Sequence, residues 1–255
     1  MAAKSGTEGA LEENGSGPRR AAVFGATGGI GAALVDRLLL NPTIMCVYAG
    51  GRTEPETGDP RVAPFAFDVL DESSIAAACA GMGNAPPDLV IVATGILSPP
   101  GSAGPEKSVA ALDGEQLARM FAVNAAGPML IAKHIKPVLP RDKRAVFAAL
   151  SARVGSIEDN GLGGWYSYRA SKAALNMMLR SFAIELARTH TQAVVAALHP
   201  GTVDTDLSRP FQTNVPDSQL FTPQRSAAAL LDVIEGLRPS DSGKLFSWDG
   251  ATIPY

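Results

Sequence analysis

Apolar positions along this chain fall into two alternating rhythms. Short runs at 20–24, 43–48, 62–67, 88–92, 145–150, 193–198 and 244–248, each bounded by Gly, Pro, Asp or other polar residues, predict seven strands. Between them lie segments with apolar residues every three or four positions, which predict helices over 32–39, 71–80, 113–136, 171–188 and 223–237. The strand runs are unbroken rather than alternating, as expected of strands covered on both faces by helices. Strand and helix in alternation therefore give an α/β class and a single Rossmann-like, doubly wound parallel sheet of about seven strands over 19–255. In such a sheet, ligands bind beyond the carboxyl ends of the strands. Residues 1–18, rich in Gly, Ser and Glu, read as a disordered tail. The stretch 98–105 reads as a loop and 157–164 as a flexible glycine-rich segment. Residues 207–222 read as an irregular lid after strand six.

Two details qualify the helices. On 171–188, Leu175, Met178, Leu179, Phe182 and Leu186 form a stripe that suits a core or a dimer face. On 113–136, Asn124 interrupts an apolar stretch, and a buried amide without partners costs about 1 to 3 kcal/mol. It is expected to hold a kink, a water or a functional group.

Composition narrows the class. The chain has 255 residues, 46% hydrophobic and 18% charged, with a net charge of -3, which suits one large domain and argues against nucleic-acid or anionic-membrane surfaces. No run reaches the roughly 18 apolar residues of a membrane span, so a cytoplasmic protein is expected. The two cysteines, Cys46 in a buried strand and Cys79 in a helix, indicate neither a disulfide framework nor a zinc cluster. His134, His190 and His199 lack metal-ligand spacing and read as structural or solvated, so no metal is expected.

The first predicted strand runs into Gly25-Ala-Thr27-Gly28-Gly29-Ile30-Gly31 and then a helix. Both Gly25-xx-Gly28-xx-Gly31 and Gly25-xxx-Gly29-x-Gly31 can be drawn through it. Glycines let the backbone turn tightly and approach a pyrophosphate, and the helix N-terminus offers it free N–H groups. A dinucleotide site follows. Arg52 closes the turn after strand two, where no Asp or Glu stands, which favours a 2'-phosphate and hence NADP(H) over NAD(H). The competing reading of Arg52 is a solvated turn residue. Gly95 after strand four again permits close approach of backbone to a ligand.

The second half carries the reactive groups. The stretch 166–175 reads as the entry into the long helix, so Tyr168 and Lys172, four apart, share a face, whereas Tyr166 has Ala170 at that distance. A neighbouring ammonium favours a phenolate and is expected to bring the phenol towards useful acidity. Ser151 stands at the end of strand five, on the rim where the dinucleotide belongs.

Taken in order, the glycine turn, Asn124, Ser151, Tyr168-xxx-Lys172 and the Pro200-Gly201 turn resemble a one-domain short-chain dehydrogenase/reductase over essentially 19–255. The wording around Ser151, around Tyr168 to Asn176 and around His199 to Leu207 further resembles its C-factor-like subgroup, which is similar to the sniffer-type carbonyl reductases. The resemblance implies an oxidoreductase in which Tyr168 protonates a carbonyl oxygen as hydride arrives from NADPH. It implies that Lys172 lowers the Tyr168 pKa and bonds the nicotinamide ribose, Ser151 orients the substrate carbonyl, and Asn124 anchors a water relay to Lys172. Val203 and Thr205 match carboxamide positions, and Asp68 and Val69 match adenine positions. With Gly25, Thr27, Gly28, Gly29, Ile30, Gly31, Arg52, Ala93, Gly95, Pro200 and Gly201, they complete the implied cofactor contacts. The partner implied is a small carbonyl or alcohol substrate, and the family's helix pairing implies a homodimer or homotetramer.

The chain departs from the family pattern in three places. Ala93-Thr94-Gly95 replaces the usual Asn-Ala-Gly. The second serine of a common Ser-Ser pair falls on Ala152, leaving Ser151 as first choice and Ser156 as fallback. The glycine turn also occurs in larger sugar-nucleotide epimerases, whose second substrate region the short C-terminal portion has little room for. An alternative function is a dinucleotide-binding regulatory or cell-signalling protein of the C-factor kind, with little turnover.

Overall fold

The computed structural model describes residues 19–102, 104–212, 216 and 219–255; the expected tail at 1–18 lies outside them. Its elements are β1 (Arg19–Phe24), α1 (Gly29–Leu39), β2 (Ile44–Gly51), β3 (Val62–Ala66), α2 (Glu72–Gly81), β4 (Leu89–Val92), α3 (Gly114–Phe121), α4 (Gly127–Ile135), β5 (Ala145–Leu150), α5 (Tyr166–Leu186), β6 (Ala193–His199), β7 (Thr202–Val203), β8 (Leu220–Phe221), α6 (Pro223–Gly236), β9 (Lys244–Ser247) and β10 (Thr252–Ile253).

The main sheet has the order β10-β9-β6-β5-β4-β1-β2-β3. Every pairing in it is parallel except β10 on β9. Alternate residues of each strand enter two separate cores. Ala22, Phe24, Val90, Val92, Phe147, Ala149, Val195 and Ala197 pack towards Ile75, Ile131, Leu175 and Leu179 of α2, α4 and α5. Ala21, Val23, Leu89, Ile91, Val146, Ala148, Val194 and Ala196 face Leu34 of α1 and Leu230 and Ile234 of α6. Two buried faces leave no place for a polar alternation, which is why these strands read as unbroken apolar runs. The seven expected strands form the sheet, and β10 adds an eighth. Near the end of the expected lid, β8 pairs with β7, which precedes the lid, as a separate two-stranded sheet.

Helix starts follow local chemistry. Asp71 accepts from the Ser73 amide, Asp113 from Gln116 and Thr222 from Arg225, each satisfying an otherwise unpaired first-turn N–H.

Three expectations change. The helix expected over 113–136 is interrupted by a π-helical turn at Ala122–Ala126, centred on Asn124; such turns insert one residue into the α-helical ladder and mark functional positions. In the α5 stripe, Leu175, Leu179, Phe182 and Leu186 are buried but Met178 is 39% exposed, because it sits at the edge of the apolar face. Cys46 is only half-buried in β2, whereas Cys79 is buried and desolvation pushes its thiol up to about 12; both are free.

Candidate active site

In the sheet order the chain leaves β1 to one side for β2 and to the other for β4, and at this reversal the loops splay apart. A cavity of about 630 Å³ opens there. Thr27, Gly28, Gly29, Ile30 and Gly31 line it from the first turn, and Arg52 borders it from the end of β2. Ala93 and Gly95 enter from beyond β4, Ser151 from beyond β5, Tyr168 and Lys172 from α5, and Pro200 and Thr205 from beyond β6. The turn admits only glycine at its third position, since a Cβ on Gly31 would lie 2.0 Å from the Gly25 carbonyl oxygen. At the mouth of α1, Gly28 supplies no side-chain cap and the first turn holds no acid. The helix N-terminus therefore faces the cavity without a built-in anion.

Tyr168 and Lys172 stand one turn apart on α5. That helix opens after Trp165, whose backbone is left-handed (φ 52°) and whose side chain caps nothing. The cap comes from Glu106, 61 residues upstream of Ser167. Its buried carboxylate accepts from the Ser167 amide at 3.2 Å and from the Ser167 hydroxyl, and its carbonyl accepts from the Trp165 amide at 2.5 Å. The Lys172 ammonium lies 5.9 Å from the centre of the Tyr168 ring and donates to the Leu150 carbonyl at 2.8 Å.

Burial, more than their pairing, sets their proton affinities. Desolvation pushes the Tyr168 phenol up to about 12 and the Lys172 ammonium down to about 8. Burial thus outweighs the expected lowering of the phenol by its neighbour.

Asn124 is fully buried and spends its amide on three partners. Its Oδ1 accepts from the Ile96 amide at 2.8 Å, and its Nδ2 donates to the Ile96 carbonyl at 2.8 Å and to Ser171 Oγ at 3.1 Å. It thereby ties the π turn to the segment after β4 and to the helix of Lys172. Ser151 borders the cavity and donates its hydroxyl to Asn176 Oδ1 at 2.6 Å. Ser156 is buried, and its Oγ accepts from the Asp159 amide outside the cavity lining.

A second cavity of about 260 Å³ adjoins the first and shares Ile30, Ser151, Tyr168, Pro200, Thr205 and Leu207 with it. Its other walls are largely apolar, from Leu97, Ala152, Val154, Trp165 and Val203, with Gly201, Arg153 and His199 at the border. Burial pushes His199 down to about 4, and its Nδ1 has no hydrogen-bond partner. The imidazole is therefore neutral at physiological pH. Gly25, Asp68, Val69 and Asn124 line neither cavity. Asp68 is exposed and accepts from the Leu70 amide at 2.9 Å. Val69 fits against Gly127, where a Cβ would meet it at 2.2 Å.

Sequence reasoning missed several groups. Thr94, Ile96, Asp206 and Arg209 also line the larger cavity, and Trp165 the smaller. Asn176 carried a readable signal, because it continues the Tyr168 and Lys172 spacing by one more turn; Glu106 carried none.

The short chain dehydrogenase family model matches residues 19–216. The chain belongs to the short-chain dehydrogenase family. This short-chain dehydrogenase is 38% identical to C-signal of Myxococcus xanthus over 144 residues, 56% of this chain and 81% of that protein. It is 35% identical over 147 residues to 1-hydroxy-2-glutathionyl-2-methyl-3-butene dehydrogenase of Rhodococcus sp.. That match spans 58% of this chain and 62% of the relative's length. Among solved structures, NADPH-bound carbonyl reductase from chicken fatty liver superposes with a TM-score of 0.81 at 25% identity, covering 95% of this chain and 96% of that one. The chain is thus an oxidoreductase of this family, with a C-factor-like relative and the Rossmann-like fold of the carbonyl reductases. No helix among the described residues is long and apolar enough to cross a membrane.

Proposed function

We propose that this short-chain dehydrogenase reduces a small carbonyl compound, or oxidises the corresponding alcohol, with NADP(H). The observation that carries the reading is that Tyr168 and Ser151 border both cavities while Lys172 lies buried behind them. A proton donor thus stands where a dinucleotide-sized cavity meets a smaller apolar one. The larger cavity fits the cofactor: a glycine turn packed too tightly to admit a Cβ at Gly31, an uncapped helix mouth for the pyrophosphate, and Arg52 for a 2'-phosphate. When bound, NADPH supplies the hydride.

The residues of the chain do the rest. Tyr168 gives its phenolic proton to the carbonyl oxygen and takes it back in the reverse direction. Lys172 supplies the positive charge that steadies the phenolate left behind, and Ser151, whose own proton goes to Asn176, offers its lone pairs to the Tyr168 phenol or to the hydroxyl of the alcohol. Asn124 holds the π turn against α5 and so the position of Lys172. Thr27, Gly28, Gly29, Ile30, Ala93, Gly95, Pro200 and Thr205 line the cofactor's bed, Gly25 turns the chain beneath it, and Gly201 and Val203 stand on the adjoining smaller cavity; Asp68 and Val69, which line neither cavity, are assigned to the cofactor's adenine end by the family resemblance alone. Chicken fatty liver carbonyl reductase, whose structure holds NADPH, supports the choice of cofactor. The test is titration of NADPH and NADH into wild type and Arg52→Glu. The substitution should weaken NADPH at least about tenfold, by loss of a charge-assisted pair worth about 1.5 to 3 kcal/mol, and leave NADH nearly unchanged. Equal effects on the two cofactors would refute the phosphate role.

A regulatory reading draws on C-signal, but an intact Tyr168/Lys172 pair beside an apolar cavity favours turnover. Met177, Met178 and Ile184 are exposed on α5 at 67%, 39% and 51%, and on this face we place the contact of a homodimer or homotetramer. A monomer by light scattering at micromolar concentration would remove that placement. Two free thiols suit a reducing compartment, so the protein is assigned to the cytoplasm; oxidative loss of both thiols in cells would count against it.

A further inference from the structure

We infer that Asn176 is a positioning residue of the reacting centre, which fixes the Ser151 hydroxyl against α5 and acts on turnover through it. The inference rests on the carbonyl-reductase reading above.

Tyr168, Lys172 and Asn176 follow one another at intervals of four along one stripe of α5. The last two hold consecutive residues at the end of β5. Lys172 Nζ donates to the Leu150 carbonyl at 2.8 Å, and one turn on, Asn176 Oδ1 accepts from Ser151 Oγ at 2.6 Å. The other half of the amide, Nδ2, donates to the Gly155 carbonyl at 3.3 Å. One side chain therefore brackets the segment 151–155 at both ends. Ala152, Arg153 and Val154, between those ends, border the smaller cavity.

The bracket leaves little freedom. Ser151 and Asn176 are 3% and 2% exposed, so water cannot replace either partner cheaply. Turning the amide over would set Oδ1 against the Gly155 carbonyl oxygen, acceptor against acceptor, so Gly155 dictates which end faces Ser151. Gly155 itself is pressed onto α5, where a Cβ would lie 2.7 Å from the Lys172 Cβ. A hydroxyl has one proton, and that of Ser151 points to Asn176. Asn176 thus sets both the rotamer and the proton direction of a hydroxyl shared by the two cavities, and turns its lone pairs to accept from the Tyr168 phenol or from the hydroxyl of an alcohol. The bonds of Asn176 go to Ser151 and Gly155 and that of Lys172 to Leu150, so the direct route from Asn176 to the reacting centre runs through Ser151.

The test is a double-mutant cycle in the full chain: wild type, Ser151→Ala, Asn176→Leu and the double variant, assayed for NADPH-dependent reduction of a panel of small aromatic aldehydes, with the NADPH Kd measured by nucleotide fluorescence. Each single change should lower kcat ten- to a hundredfold with the Kd for NADPH within twofold. The double variant should fall no more than threefold below the slower single one. Multiplicative losses would overturn the inference, as would wild-type kcat in Asn176→Leu. Should Asn176→Leu fail to fold, Asn176→Ser takes its place, since it is smaller and too short to reach both partners. Absence of wild-type turnover on the whole panel would overturn the reductase reading and this inference with it. An active wild type with an additive cycle overturns the inference alone.

Discussion

Replacing Lys172 by Met should trade catalysis for stability, with a pH dependence of known sign. Met keeps the length of the buried stem and removes the ammonium. In the folded chain, burial lowers this group from 10.5 to about 8, which corresponds to roughly 3 kcal/mol of penalty on its charged form. The penalty is in full force below pH 8, where the folded and unfolded chains both carry the proton. Between 8 and 10.5 the unfolded chain binds the proton and the folded chain does not, so wild-type stability rises with pH. Lys172→Met lacks this gain, and its stability relative to wild type should fall by about 2.5 kcal/mol between pH 7 and pH 10. The absolute level carries a second contribution, because the Leu150 carbonyl loses its donor at a cost of about 1 to 3 kcal/mol. At pH 7 the variant should therefore match or exceed wild type by up to about 2 kcal/mol, and near pH 10 it should fall below it. Urea unfolding of both proteins at pH 7, 8, 9 and 10, with equal m-values, reads the difference directly. A stability difference that stays constant across that range would refute the assignment of a low-pKa, buried ammonium.

Two further outcomes follow from the same site. Glu106→Ala removes the cap of α5 and strands the Ser167 hydroxyl, so it should cost roughly 2 kcal/mol in urea unfolding and lower kcat, whereas Glu106→Gln retains an acceptor and most of both; equal behaviour of the two variants would contradict the capping role. Because burial holds the Tyr168 phenol near 12 and Lys172 near 8, kcat/KM for NADPH in carbonyl reduction should decline through a single ionisation near pH 8 while the phenol stays protonated, and a flat profile to pH 10 would show that the Lys172 charge is not used.

Much of this was readable in the sequence where physics is local or periodic. The sheet was legible because its central strands bury both faces, and the glycine turn because close backbone packing leaves Gly31 no side chain. The two-residue strands β7, β8 and β10 are shorter than any period, so no pattern could mark them. Asn124 announced itself as a polar residue in an apolar helix, yet the π turn around it is a backbone event without a residue code. Helical spacing placed Tyr168 beside Lys172 but could not weigh their burial, and burial reverses the expected shift of the phenol. Spacing gives the direction of an apolar stripe and not its width, hence the exposed Met178. Glu106 was out of reach for another reason: it caps a helix from a Pro/Gly/Ser-rich loop 61 residues away, a contact that only the fold creates.

The central claim is that Tyr168 is the proton donor of a carbonyl reduction. It is tested most directly by following NADPH and NADH oxidation against a panel of aldehydes, ketones and quinones, with wild type and Tyr168→Phe side by side and cofactor affinity measured for both. The account predicts turnover with NADPH in the wild type and a loss of at least about a thousandfold in Tyr168→Phe, at the upper part of the usual range for a general acid, with NADPH affinity unchanged. Turnover that survives in Tyr168→Phe would contradict the claim, and so would a wild type that binds NADPH yet reduces nothing in the panel.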